Sequence, residues 1–79
     1  MSSELVLYVV SACRRRVREV LLSYLCGEPV TGCGVRLIVC FEDGTVAEGA
    51  GHTIFGALND LMAVSRTMPD YFGDWPALG

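Results

Sequence analysis

The chain of 79 residues contains no lysine and a single histidine, His52. All six basic residues are arginine. A guanidinium does not readily give up its proton, so lysine-type nucleophilic chemistry is excluded. Long hydrophobic runs are missing as well. The longest is Leu5–Val10, far below the roughly 20 residues that span a bilayer. That run also lacks the positively charged start of a secretory signal, so a cytoplasmic protein with no membrane partner is expected. No C-x-x-C occurs. The four cysteines stand at 13, 26, 33 and 40, a spacing that matches no common zinc pattern. No metal and no cofactor are expected, and the thiols read as small buried hydrophobes. Charge is sparse too. Charged residues make up 19% of the chain against 52% hydrophobic, which is too apolar for disorder. The length fits one domain over 1–79 with a thin core, for which a homodimer or a partner is a common support.

Leu5–Val10 is rich in β-branched and aromatic residues and has no polar face, as in a strand covered on both sides. Ser11 then caps a predicted helix over about 12–26, with Cys13, Val17, Val20, Leu21, Tyr24 and Leu25 on its apolar stripe. A rival reading joins Val6, Val10, Cys13, Val17, Val20 and Tyr24 into the seam of one long helix over about 4–26. Val35–Phe41 is a strand. Asp43-Gly44 suits a two-residue hairpin turn, after which 45–50 returns. That turn sets Phe41 against Val46, Val39 against Glu48 and Cys40 against Ala47. Thr53 caps a helix over about 54–67, with Ile54, Leu58, Leu61, Met62 and Ser65 on one stripe; Pro69 stops it. The tail 69–79 holds Tyr71, Phe72 and Trp75 among Asp70 and Asp74. The fold class is therefore α+β: β-α-β-β-α with an antiparallel hairpin over about 35–50 and two packed helices. The alternative is α-β-β-α with the long N-terminal helix.

No candidate site has the pattern of a catalyst. His52 has no Ser or Cys beside it in a nucleophile motif. Gly49-x-Gly51 precedes a helix, but it lacks the lysine and spacing of a phosphate loop. Glu42, Asp43 and Glu48 cluster near a hairpin tip, where carboxylates are usually solvated. Arg14, Arg15, Arg16 and Arg18 form a basic cluster, the alternative nucleic-acid contact. On a helix, three consecutive residues spread over about 200°, giving a diffuse patch. The net charge of −3 argues against direct nucleic-acid binding. The negative charge is concentrated late: residues 41–79 carry Glu42, Asp43, Glu48, Asp60, Asp70 and Asp74 against Arg66. An acidic surface of this kind suits a basic protein partner. Aromatic residues set among carboxylates, Phe72 and Trp75, make candidate anchors.

Residues 35–61 resemble the hairpin-then-helix of HicB-type antitoxins. There a glycine and a threonine precede a helix carrying an Ala-Leu pair, here Gly51, Thr53, Ala57 and Leu58. Gly56 stands where that family usually has Glu before Ala-Leu. The whole chain is also similar in character to phage-encoded inhibitors of the anti-CRISPR kind: small, acidic and single-domain. That likeness implies a non-enzymatic inhibitor that occupies a basic surface of a nucleic-acid-handling complex, such as a CRISPR effector. The partner-binding residues expected are Glu42, Asp43, Glu48, Asp70, Phe72, Asp74 and Trp75. The antitoxin likeness implies instead a regulatory module that contacts nucleic acid through Arg14–Arg18.

Overall fold

A computed structural model describes residues 3–24 and 34–77. The element order is α1 (Ser3–Ser11), β1 (Val17–Tyr24), β2 (Val35–Phe41), β3 (Val46–Gly51) and α2 (Ile54–Ser65). The strands form one antiparallel sheet in the order β1-β2-β3. The α+β class, the hairpin and the two helices are as expected. The first two elements are exchanged: residues 5–10 are helical and 17–24 are a strand. The single long helix is also ruled out, because α1 ends at Ser11.

The exchange has a readable cause. Val9 and Ala12 are buried, and Leu5 and Tyr8 pack on the core. The spacing of 5, 8, 9 and 12 is one helical face. It is hidden in the sequence because Val6, Leu7 and Val10, off that face, are apolar as well. In β1 the alternation is the true signal. Val20, Leu22 and Tyr24 pack on the core, while Glu19, Leu21 and Ser23 are exposed. A helical stripe drawn through Val17, Val20, Leu21 and Tyr24 takes in Leu21, which faces outward.

The hairpin register is one residue off the expected pairing. Phe41 N–H donates to Thr45 O at 2.8 Å, and Cys40 pairs with Val46, Val39 with Ala47 and Ile38 with Glu48. The loop is three residues, Glu42-Asp43-Gly44. Of these, Gly44 alone has positive φ, at 94°, whereas a two-residue type I′ turn needs two such residues. A one-residue slip moves every side chain to the opposite face. The observed register sets Leu37 against Gly49 and Val35 against Gly51. Small residues of β3 thus share a face with the large ones of β2.

That pairing lets α2 lie directly on β3. A Cβ added to Gly49 would fall 2.5 Å from Ala57 O, and one on Gly51 would fall 2.6 Å from Gly56 C. The helix is started by Thr53, whose Oγ1 accepts from Gly56 N–H at 2.9 Å. Close approach brings Ala57 to the contact beside Leu58, Leu61 and Ser65, and leaves Ile54 at the rim. The core is one cluster on one side of the sheet. It joins Val35, Leu37, Val39 and Phe41 to Val9, Ala57, Leu58, Leu61 and Phe72.

The tail returns over this cluster. Arg14 N–H donates to Tyr71 O and Gly73 N–H to Ala12 O, each at 2.7 Å, bridging Cys13 and Phe72. Phe72 is only 4% exposed. Its ring meets Phe41 edge-on at 5.5 Å and stacks with Trp75 at 5.9 Å. Trp75 Nε1 donates to Ser65 Oγ at 2.9 Å, and Tyr8 Oη donates to Pro76 O at 2.5 Å. Ser65 is thereby satisfied as a buried polar residue.

Candidate functional site

Folding redistributes the residues singled out in the sequence. Tyr71 ties the hairpin tip to the tail. Its hydroxyl donates to Asp43 Oδ2 at 2.6 Å and accepts from Thr45 Oγ1 at 3.0 Å. Asp43 Oδ1 accepts from Thr45 N–H at 2.8 Å, the ordinary closure of an Asx-type turn. Tyr71, followed by Thr45, holds the Asp43 carboxyl below its ordinary value near 3.8. Arg15 stands 5.0 Å over the Tyr71 ring and donates through Nε to Asp70 O at 3.3 Å. Glu42 N–H donates to Arg16 O at 3.1 Å. Glu42, Asp43 and Asp70 are thus gathered with Arg15 and Arg16 at one end of the molecule. The charges that lie apart along the chain meet in space.

The arginine cluster sits on no helix. Arg14, Arg15 and Arg16 occupy the connection between α1 and β1, and all three are exposed. None forms an ion pair among the described residues, whereas Arg18 lies 3.7 Å from Glu19. Arg18 is the extra residue of a bulge between Val17 and Glu19, which turns it away from the run before it. The four arginines therefore do not make one patch.

Phe72 cannot serve as a surface anchor, because it is part of the core. Trp75 is half-buried between Tyr8 and Phe72, with one side on a shallow cleft of about 500 Å³. Arg14, Met62, Arg66 and Asp74 also line that cleft. Glu48 lies away from the other carboxylates, on the sheet face opposite the core. There it stands 4.0 Å from Arg36.

The thiol and the imidazole remain separate. Cys13 Sγ donates to Val9 O at 3.3 Å, and burial pushes its pKa up to about 11. It is almost wholly protonated at neutral pH and a poor nucleophile. His52 is exposed at the entry to α2 and makes no side-chain hydrogen bond among the described residues. Cys26 and Cys33 lie outside the described residues, as does the last residue of the expected helical stripe, Leu25. Among the described residues, no three His, Cys, Asp or Glu come together as metal ligands. No helix there is long and apolar enough to cross a membrane.

The sequence reading missed two features of this arrangement. The Tyr71 latch joins residues 28 positions apart, a pairing no local pattern encodes. The make-up of the sheet face opposite the core follows from a hairpin register one residue off the simplest turn. No family model, curated protein or solved structure matches the chain.

Proposed function

We propose that this protein is a small protein-binding inhibitor, anti-CRISPR-like in action, that docks in the cytoplasm on a basic surface of a nucleic-acid-handling assembly. The observation that carries the reading is the gathering of exposed Glu42, Asp43 and Asp70 at one end by the Tyr71 latch. Asp74 is exposed on the same tail. A fixed set of carboxylates speeds encounter with a Lys- or Arg-lined channel, and its effect fades with salt. Trp75, next to Asp74 on the tail, offers the partly exposed side of its indole as the apolar contact. Glu48 and Phe72 drop out of the docking set, one by position and one by burial.

A second reading has its own observation. Arg14, Arg15 and Arg16 share that end, exposed and without ion pairs among the described residues. They suit phosphate contacts of a regulatory, antitoxin-like module. Charge variants separate the two. With an assembly captured from the host, the protein should compete with nucleic acid for that assembly. The combined Glu42→Lys, Asp70→Lys, Asp74→Lys variant should associate about tenfold more slowly at low salt, and the deficit should shrink as salt rises. Unchanged association in that variant would remove the acidic end from the mechanism. Direct binding of DNA or RNA, abolished by Arg14→Gln, Arg15→Gln and Arg16→Gln together, would favour the second reading.

A further inference from the structure

The last turn of α2 and the tail form the cleft of about 500 Å³ that Trp75 borders, a volume in the range of small-molecule sites. Its apolar lining is Met62, Pro69, Phe72 and Trp75. The Trp75 ring already carries Phe72 stacked at 5.9 Å and Tyr8 at 5.7 Å. A ring with two aromatic partners is poorly placed to stack a nucleobase, so it serves the cleft as an apolar wall. Ser65 is the one uncharged polar side chain of the lining, and its hydroxyl is engaged. It accepts from Trp75 Nε1 at 2.9 Å and donates to Met62 O at 2.6 Å. Polar recognition in the cleft is therefore left to charged groups.

Those groups are Arg14, Arg66 and Asp74. All three are exposed, and none makes an ion pair or a side-chain hydrogen bond among the described residues. Arg66 comes from the C-cap of α2 and Arg14 from the connection before β1. The bridge between that connection and the tail fixes Arg14 beside Gly73. Gly73 leaves room for the arginine, since an added Cβ would fall 3.4 Å from Arg14 Nε and 3.7 Å from its Cγ. Two guanidiniums and one carboxylate give the cleft a charge of +1, in a chain of net charge −3. A singly charged anion neutralises it, whereas a phosphate dianion would be opposed by Asp74. The planar fork of a guanidinium matches a carboxylate in two parallel hydrogen bonds. We infer that this cleft is a binding site for a carboxylate carried on an apolar body. Arg14 and Arg66 hold the anion, and Met62, Phe72 and Trp75 take the apolar part.

The setting limits the strength. The guanidiniums stand in water, where salt screens them, and the cleft is shallow. A dissociation constant on the order of 1 mM is expected for a small acid. The same chemistry is offered by a free aryl or alkyl acid and by the C-terminal residue of a protein chain. Arg66 belongs to neither reading of the function above, so the inference stands or falls separately from both.

Trp75 is the only tryptophan, so its fluorescence and the NMR signal of its indole N–H report on the cleft directly. Phenylacetate titrated into the full chain to about 20 mM, well past the expected constant, should shift both signals saturably. Phenylacetamide, the same body without the charge, should bind about tenfold more weakly. Arg66→Gln and Arg14→Gln, both changes at exposed sites, should each keep the circular dichroism and weaken phenylacetate by about fivefold to tenfold. A short peptide ending in phenylalanine, compared with its C-terminal amide, separates the two sources. Binding of the free-acid peptide at least as tight as that of phenylacetate assigns the cleft to a chain terminus, and weaker binding assigns it to a small acid. Either result supports the carboxylate site. An absence of saturable change with phenylacetate overturns the inference. So does equal binding of the amide, or unchanged binding in Arg66→Gln. Inorganic phosphate that binds as tightly as phenylacetate would show a general anion site without an apolar requirement, and would overturn it too.

Discussion

At the scale of single residues, two glycines are needed for different reasons. Gly44 has positive φ, and an added Cβ would meet nothing within 4 Å. Its requirement is purely one of backbone conformation. Gly49 has an ordinary strand backbone, but α2 lies against it. Gly44→Ala should therefore cost about 1 kcal/mol, from the left-handed penalty alone. Gly49→Ala should cost at least about 2 kcal/mol, because α2 must lift off β3. Thermal melts of the two variants would check the order; equal losses would mean that the helix yields freely. Tyr71 and Asp43 give a pH-dependent contrast. The folded carboxyl has a depressed pKa, so its contribution to stability is full above its unfolded value and is lost as pH falls through the folded one. Tyr71→Phe keeps the ring against Phe41 but removes the hydroxyl that donates to Asp43. The midpoint gap between wild type and this variant should be largest at neutral pH and narrow below about pH 4. A gap that stays constant into acid would mean that ionised Asp43 is not the partner that matters.

At the scale of elements, the tail behaves as part of the fold. It has no periodicity, yet it supplies a core ring, a bridge to Cys13 and a cover for Ser65. Deleting residues 70–79 removes Phe72 and Trp75 together, and loss of one buried aromatic alone typically costs about 3–5 kcal/mol. A domain of this size has roughly 4–12 kcal/mol in all. The shortened chain should be largely unfolded or melt tens of degrees lower by circular dichroism, and an unchanged midpoint would show the tail to be dispensable. The same scale shows where local reading succeeds and where it fails. The segment 35–65 was legible because Val35–Phe41, the Asp43-Gly44 turn and the Thr53 cap each carry a local signal. The segment 5–24 was not, because its apolar residues satisfy helical and strand spacings at once. Leu5, Tyr8 and Val9 became helical, and Val20, Leu22 and Tyr24 extended, because each arrangement buries those three on the common core. Propensity alone is too weak to oppose that.

At the scale of the whole molecule, charge is decided by folding. Arg14–Arg16 and the carboxylates of the hairpin tip and tail are far apart in sequence and adjacent in space. The net charge of −3 and those neighbouring carboxylates oppose contact with a phosphate backbone. The isolated protein should accordingly show no saturable binding to duplex or single-stranded DNA at physiological salt by fluorescence anisotropy. Any binding that does occur at low salt should fall with a log–log slope no steeper than about −3, since Arg14, Arg15 and Arg16 together release at most about that many counterions. A steeper slope would point to a larger basic surface.

The sequence by itself determined the α+β class, the hairpin, the helix that follows it and the acidic balance of the C-terminal half. Each depends on residues within a few positions of one another: a turn glycine, a capping threonine, an apolar stripe. Only the tertiary structure decided which way the first two elements fold, which face of the hairpin is buried and which charges stand together. The loop between β2 and β3 fixes a register that differs by one residue from the simplest reading, and that single step sets Ala47 and Gly49 beside Val39 and Leu37 instead of Cys40 and Ile38. The covered sheet face and the charge-mixed end both follow from contacts between segments far apart in the chain, where burial and hydrogen bonding outweigh local preference.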